Sequence, residues 1–351
     1  MQLLLLVIPL FASLARTFSV SASKRLQFTR GFCNGTGPFN VPFLDSEMLD
    51  PIDLARLTRD PLLNLVGIYN HQDDFGGTAG FMPSHLRFER KAQTKLWKAP
   101  DADKNALADP SRSGLYFRHQ VLNSQSYPWS TIGRVDFKRF PEDIGGWCTA
   151  SLVGRNLMLT ASHCFPWGFG SGRWMRFTPA FSNGNTPYGG SYVSRCRGVV
   201  NIWDVTGIDY IVCHLCEPLG EIAGWMGTHW WQRPENYTTK RWTSSGYPGD
   251  SLGGRAQMIR SNITLTDIDR HGDKGSELES NMYASPGWSG GPMWGYVDGA
   301  PKIVGICSGR ESDCSERCLG KMGDGHDVSA GGRLMTDLVI YGMGHWAGQG
   351  H

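Results

Sequence analysis

Charge of one sign is what this 351-residue chain most plainly lacks: 34 Lys and Arg face 32 Asp and Glu, leaving +2. Without a basic excess there is no electrostatic footprint for a nucleic-acid partner. Long hydrophobic runs are missing after Leu14, so no later segment is apolar enough to cross a bilayer as a helix. Cysteine is scarce early: only Cys33 precedes residue 140. Internal repeats and low-complexity tracts are absent, which excludes solenoid and linker-like architectures. An apolar fraction of 40% excludes a disordered chain.

What is present is turn chemistry and aromatic bulk, with 45 Gly and 13 Trp. Leu3 to Leu14 is an apolar run of signal-peptide length, followed by small residues at Ser13/Ala15 and Val20/Ala22. Residues 1–22 are expected to be a secretory signal, with an N-terminal membrane anchor as the alternative, since the first residues lack Lys or Arg. Secretion predicts disulfides among Cys33, Cys148, Cys164, Cys196, Cys213, Cys216, Cys307, Cys314 and Cys318. The eight beyond residue 140 suffice for four bridges, leaving Cys33 odd. Zinc binding through Cys213-His214-Leu215-Cys216 competes, but strand alternation puts the two thiols on opposite faces. Sequons at Asn34, Asn236 and Asn262 fit the same route.

Residues 23–124 read as a propeptide or N-terminal extension, with an independent small domain as the alternative. Asp50-Pro51, Asp60-Pro61 and Asp109-Pro110 punctuate it, basic pairs stand at Lys24-Arg25 and Arg90-Lys91, and Ser46 to Arg59 has helical spacing. From residue 125 to 351 short β-type runs alternate with Gly, Pro, Asn and Asp: Ser130 to Phe137, Cys148 to Val153, Leu157 to Thr160, Ser191 to Val193, Tyr210 to Leu215 and Lys302 to Ile306. That spacing predicts an all-β sandwich or barrels, closed by a helix over Leu334 to Met343.

Two motifs carry chemistry. Gly287-Trp288-Ser289-Gly290-Gly291-Pro292 puts a serine on a turn poor in side chains, where a carbonyl can approach and the N–H groups of Gly287 and Ser289 can face one oxyanion. Thr160-Ala161-Ser162-His163-Cys164 puts a histidine beside a cysteine that a strand pair would bring to Cys148, and a bridge there would pin the turn. Together these resemble the chymotrypsin-fold serine peptidases. The resemblance covers roughly residues 125–345 and implies two packed antiparallel β-barrels with a C-terminal helix. It also implies the chain order His163, Asp209, Ser289, with Asp209 opening the strand Tyr210-Ile211-Val212 and Asp204 its rival. The opposite order of α/β-hydrolases argues against an esterase.

Tyr127-Pro128-Trp129, Gly246-Tyr247-Pro248-Gly249-Asp250 and Val304-Gly305-Ile306 lean toward the glutamyl endopeptidase branch. The resemblance implies a pocket walled by Tyr283, Ala284, Ser285, Cys307, Ser308 and Gly309, neutral if Cys307 is bridged. Tyr283 stands where trypsin-like enzymes have Asp, so Arg/Lys preference is not expected. Cys307 follows Gly305-Ile306 where glutamyl endopeptidases place His, which puts a Glu preference in doubt. Trp288 replaces the Asp that pairs with a freed N-terminus in trypsin-type zymogens, so any activation is expected to work by removing the extension.

The expected protein is a secreted, monomeric serine endopeptidase acting on proteins or peptides, with no metal, organic cofactor, nucleic-acid or membrane partner after signal removal. The alternative is a catalytically silent homologue acting as a secreted binding protein. Asp267-Ile268-Asp269-Arg270-His271-Gly272 begins like a calcium loop but lacks the closing Glu, and reads as a polar loop.

Overall fold

Short β-branched and aromatic runs between turn residues form short strands, and two sets of six such strands close on themselves. A computed structural model describes residues 45–49, 74–98, 117–167, 172–199, 205–270, 275–310 and 326–346. The N-terminal part supplies β1 (Asp45–Leu49), β2 (Phe75–Gly77), β3 (Thr94–Lys98) and β4 (Phe117–Val121). The first barrel follows: β5 (Ile132–Lys138), β6 (Gly146–Gly154), β7 (Leu157–Thr160), β8 (Trp174–Pro179), β9 (Ser191–Val199) and β10 (Ile211–Leu215). Its ladder runs β5-β6-β7-β10-β9-β8 and returns to β5, all antiparallel.

After a short helix α1 (Leu219–Ala223), β11 (Gly227–Trp231) and α2 (Glu235–Thr238), the second barrel uses β12 (Trp242–Gly246), β13 (Met258–Ile263), β14 (Leu265–Arg270), β15 (Ser276–Ser280), β16 (Pro292–Val297), β17 (Ala300–Arg310) and β18 (Asp327–Gly331). β13 and β14 are one bent strand, interrupted near Asn262, whose φ is +63°. With that strand counted once, the ladder runs β12, β13/β14, β15, β18, β17, β16 and back to β12. Both barrels therefore repeat one connectivity, first-second-third-sixth-fifth-fourth. This is the double barrel that the resemblance implies.

The inward faces make the cores. Val135, Ala150, Leu152, Leu159, Phe177 and Val212 are fully buried in the first, and Trp242, Met258, Leu278, Trp288 and Val304 in the second. Each of the Val, Leu, Met and Phe side chains among these contributes about 1.5–3 kcal/mol. The last helix, α3 (Arg333–Trp346), buries Leu334 through Gly342 without interruption. That pattern fits a helix enclosed on most sides rather than a surface one. Among the described residues no helix is long and apolar enough to cross a membrane.

Two expectations change. The helical spacing over Ser46 to Arg59 does not produce a helix at its start. Asp45–Leu49 is a strand parallel to β9, Pro51 disfavours helical backbone at Asp50, and residues 50–59 lie outside the described ones. The polar loop expected at Asp267 is instead a hairpin, with Asp269 opposite Glu277. Within 23–124 the described strands join both sheets: β1 pairs with β9 of the first barrel, while β4 pairs with β13, β3 with β4, and β2 with β11 in the second sheet. Trp129 Nε1–H donates to Glu89 O (3.0 Å) and Tyr296 O–H to Arg90 O (3.1 Å), so side chains stitch the same seam.

The cysteine arithmetic also changes. Cys148–Cys164 and Cys196–Cys213 are bridged, and Cys216 is bonded to a partner outside the described residues. Cys307 is a free, buried thiol, so the later eight cannot form four bridges among themselves. With Cys213 spent on Cys196, the Cys213/Cys216 zinc pair does not exist. The segments 1–22 and 23–44, with Cys33 and Asn34, and residues Asp204, Cys314 and Cys318 lie outside the described residues.

Candidate active site

His163 sits in a 3-10 turn, Ser162–Cys164, directly after β7. Cys164 ties that turn to Cys148 on β6. Asp209 precedes β10, the partner of β7, so the sheet brings the two residues together. Asp209 is fully buried and His163 partly exposed. His163 Nδ1 lies 2.6 Å from Asp209 Oδ2, and its backbone N–H donates to Oδ1 at 2.9 Å. A carboxylate only accepts, so the proton of neutral His163 belongs on Nδ1 and Nε2 is left as the basic nitrogen. A third donor comes from the other barrel: Ser308 O–H on β17 donates to Asp209 Oδ2 at 2.6 Å. Three donors offset the cost of burying the carboxylate.

Ser289 approaches from the second barrel on the turn before β16. Its neighbour Trp288 is fully buried, and the indole N–H donates to Ser244 Oγ at 2.9 Å, which anchors the turn in the second core. Thr149 on β6 holds the turn from the other side. Its N–H donates to Ser289 O (2.8 Å), and its hydroxyl donates to Gly287 O (2.8 Å) while accepting the Tyr247 N–H (2.9 Å). With both carbonyls taken, the N–H groups of Gly287 and Ser289 have no acceptor among the described residues. Two unfilled donors on one rigid turn can receive an anion.

Two glycines are required by space. Gly290 (φ +78°) lies so close to Thr149 and Thr160 that a Cβ would fall 2.2 Å from Thr149 O. Gly287 (φ +95°) would place its Cβ 2.5 Å from Tyr247 O. Gly290 thus packs against Ala161, two residues before His163. Among the described residues no hydrogen bond joins Ser289 Oγ to His163, whose Nε2 lies 3.8 Å from Cys164 Sγ.

The residues expected to wall a pocket divide. Tyr283, Ala284 and Ser285 stay together in the strand-to-turn segment and are each partly exposed. Tyr283 has φ +55°, which is strained for a non-glycine residue. Ser308 does not offer its side chain to the pocket, because it is spent on Asp209, and Cys307 is buried in the second core rather than bridged. Gly309 sits at a bulge where β17 meets β18, next to Val205. Arg260 and Arg310 approach the Tyr283 ring at 5.3 and 5.8 Å. The nearby Asp327 is fully buried, and that burial raises its pKa above the usual carboxylate range. It accepts the N–H groups of Tyr283 (2.7 Å) and Ala284 (3.1 Å) and lies 3.6 Å from Arg310.

Reading the residues alone missed Thr149, Arg118, Asp327 and the true station of Ser308. Thr149 had one signal, its place beside Cys148. Arg118 had none, since its partners lie more than a hundred residues away: its guanidinium is fully buried and donates to Asp250, Ser251 Oγ (3.0 Å), Ser285 Oγ (3.1 Å) and Tyr283 O (2.9 Å). Of the described sequons, Asn262 is exposed and Asn236 partly so. The carboxylates of Asp269, Glu277 and Glu279 cluster on the β14–β15 hairpin, where Glu277 already accepts the Gly207 N–H (3.0 Å).

No family model matches the sequence, and no curated protein does. Solved structures do resemble the fold. A Glu endopeptidase in complex with MPD is 18% identical over 64% of this chain and 95% of its own, with a TM-score of 0.48. A thermostable serine protease, AL20, from an extremophilic microorganism is 18% identical over 60% and 96%, with a TM-score of 0.46. Protease Anisep from Arthrobacter nicotinovorans is 19% identical over 60% and 94%, with a TM-score of 0.42. At these identities and scores the likenesses carry no chemical conclusion, which has to come from the side chains.

Proposed function

We propose that the chain is a secreted serine endopeptidase in which Ser289 is the nucleophile, His163 the general base and acid, and Asp209 the orienting carboxylate. The observation that carries this reading is the His163 Nδ1–Asp209 Oδ2 contact of 2.6 Å, with the acid fully buried and Nε2 free of any carboxylate. Ser289 Oγ attacks the peptide carbonyl carbon as its proton passes to His163 Nε2, and the C–O bond forms. The oxyanion lies against the Gly287 and Ser289 N–H groups, each worth about 3–4 kcal/mol in such sites. Collapse breaks the C–N bond and returns the proton to the leaving amine. Water then hydrolyses the acyl-enzyme by the same route in reverse order. The pair of disulfides supports the secretory assignment.

Cleavage after Arg or Lys is disfavoured on two counts. Arg260 and Arg310 flank Tyr283, so a substrate cation meets like charge. Asp327 is engaged by two backbone N–H groups and Arg310, so it offers no free carboxylate. Digestion of a mixed peptide library by the wild type and by Ser289→Ala tests the reading. Hydrolysis should vanish in the variant and should spare Arg and Lys sites. Undiminished hydrolysis by Ser289→Ala would refute the assignment, and dominant cleavage after Arg or Lys would refute the specificity.

A further inference from the structure

We infer that Arg118 is a positioning residue for the Tyr283–Ser289 segment, so that the strand carrying it belongs to the working enzyme and is not a removable prosegment. This rests on the peptidase reading above. Arg118 lies on β4, upstream of the barrels, yet its guanidinium is wholly enclosed by second-barrel residues. Its Nη2–H donates to Tyr283 O (2.9 Å), while Asp327 Oδ2 accepts the Tyr283 N–H (2.7 Å). A buried cation and a buried carboxylate thus grip both sides of the left-handed residue, φ +55°, that opens the segment. Nothing local favours tyrosine there, so the two ionic partners impose the conformation.

The grip continues toward the nucleophile. Arg118 Nη1–H also donates to Ser285 Oγ (3.1 Å), and Ser285 O accepts the Trp288 N–H (2.9 Å). Arg118 Cζ lies 5.3 Å from the centre of the Trp288 ring. On the far side, Asp250 accepts from Arg118, and Gly249 N–H donates to Pro286 O (2.8 Å). Residues 283 and 285 are therefore tied to Arg118 directly, 288 through Ser285, and 286 through Asp250 and Gly249. The next residues, Gly287 and Ser289, carry the two unfilled N–H donors.

Trp288 offers no carboxylate to a newly freed ammonium group, and the Arg118 guanidinium already holds the segment through Tyr283 O and Ser285 Oγ. Cutting the chain at residue 124 and releasing what precedes it would remove Arg118 and strand Asp250, Ser285 and the Tyr283 carbonyl without their donor. A cut at the exposed Arg90-Lys91 pair would leave Arg118 in place. The charge is matched by Asp250, and the planar fork meets separate acceptors, which an ammonium could not do from one point.

The test uses the full-length secreted chain with Arg118→Lys and Arg118→Ala, and Ser289→Ala as a dead control. Near-UV circular dichroism establishes folding, and kcat and KM are measured on one peptide amide. Arg118→Lys and Arg118→Ala should lower kcat about 100-fold, the loss that accompanies a misplacement of about 1 Å, with KM moved less than about threefold. Millimolar guanidinium ion should restore Arg118→Ala by about tenfold and leave Ser289→Ala inert. N-terminal sequencing of the active wild type should find residue 118 retained, in the same chain or in a fragment that co-purifies.

Folded Arg118→Ala with wild-type kcat overturns the inference, and so does an active enzyme from which residue 118 has been lost. If Arg118→Ala does not fold, Arg118→Lys and the retained N-terminus decide in the same way. A wild type that hydrolyses nothing would instead refute the peptidase reading itself.

Discussion

Replacing Gly287 by alanine should separate the proposed oxyanion turn from the rest of the fold. The new Cβ would lie 2.5 Å from Tyr247 O and 2.6 Å from Trp147 Nε1, where ordinary contact begins at 3.4 Å. The turn would have to retreat by the difference, 3.4 − 2.5 = 0.9 Å. Neither neighbour can yield easily, because Trp147 Nε1–H donates to Tyr247 O at 2.9 Å. The φ of +95° adds strain of about 1–3 kcal/mol for any residue with a side chain. A donor moved by that distance is largely lost, which costs about 3–4 kcal/mol and therefore roughly 10²–10³ in kcat. Gly299→Ala is the control. It also has positive φ, +79°, but a Cβ there meets nothing within 4 Å. It should cost about 1 kcal/mol of stability and no activity. The assay is steady-state kcat and KM on a peptide amide, with thermal unfolding in parallel. If Gly287→Ala keeps kcat within about threefold of wild type, the two N–H groups are not the oxyanion site.

Asp209→Asn should leave the fold intact and lower kcat by roughly 10⁴, because an amide no longer fixes the Nδ1–H tautomer of His163; an unchanged kcat would remove Asp209 from the mechanism. Cys148→Ala with Cys164→Ala opens a loop with a separation of 16 residues and should cost about 3 kcal/mol by denaturant melting, with further activity lost as the His163 turn loosens. His229, buried on β11, has its pKa pushed from 6.5 down to about 4, chiefly by burial and then by Lys302. The unfolded chain takes up this proton near pH 6.5 while the fold resists it, so the stability is complete above pH 6.5 and drains away as pH falls toward 4. A depression of that size is worth roughly 3 kcal/mol, reduced to about 2 by partial screening. Melting temperatures across that range should fall more steeply for wild type than for His229→Gln, and parallel curves would contradict the assignment.

The parts legible in the sequence are those whose cause is local. Leu157 to Thr160 appears with its expected ends because a short apolar run closed by a β-branched Thr160 is bounded by turn residues. The meeting of His163 and Asp209 follows from adjacent strands whose neighbours, Cys148–Cys164 and Tyr210–Leu215, announce themselves. The parts that were not legible depend on partners far along the chain. Arg118 reads as one charge in a polar stretch until β4 joins β13 and encloses it. Ser308 reads as a pocket wall until the barrels close and turn it onto Asp209. Cys307 invites a bridge by count alone, yet its neighbours in the second core include no cysteine to pair with. Ser46 to Arg59 shows how helical spacing can lose at its start to an available strand edge beside a proline.

The most direct test of the central claim is covalent. The protein is treated with a fluorophosphonate, and its intact mass and tryptic map are measured beside those of Ser289→Ala and Asp209→Asn. The account predicts a single adduct on Ser289, absent in Ser289→Ala and formed far more slowly in Asp209→Asn. No adduct on the folded wild type, or an adduct on another serine, would contradict it.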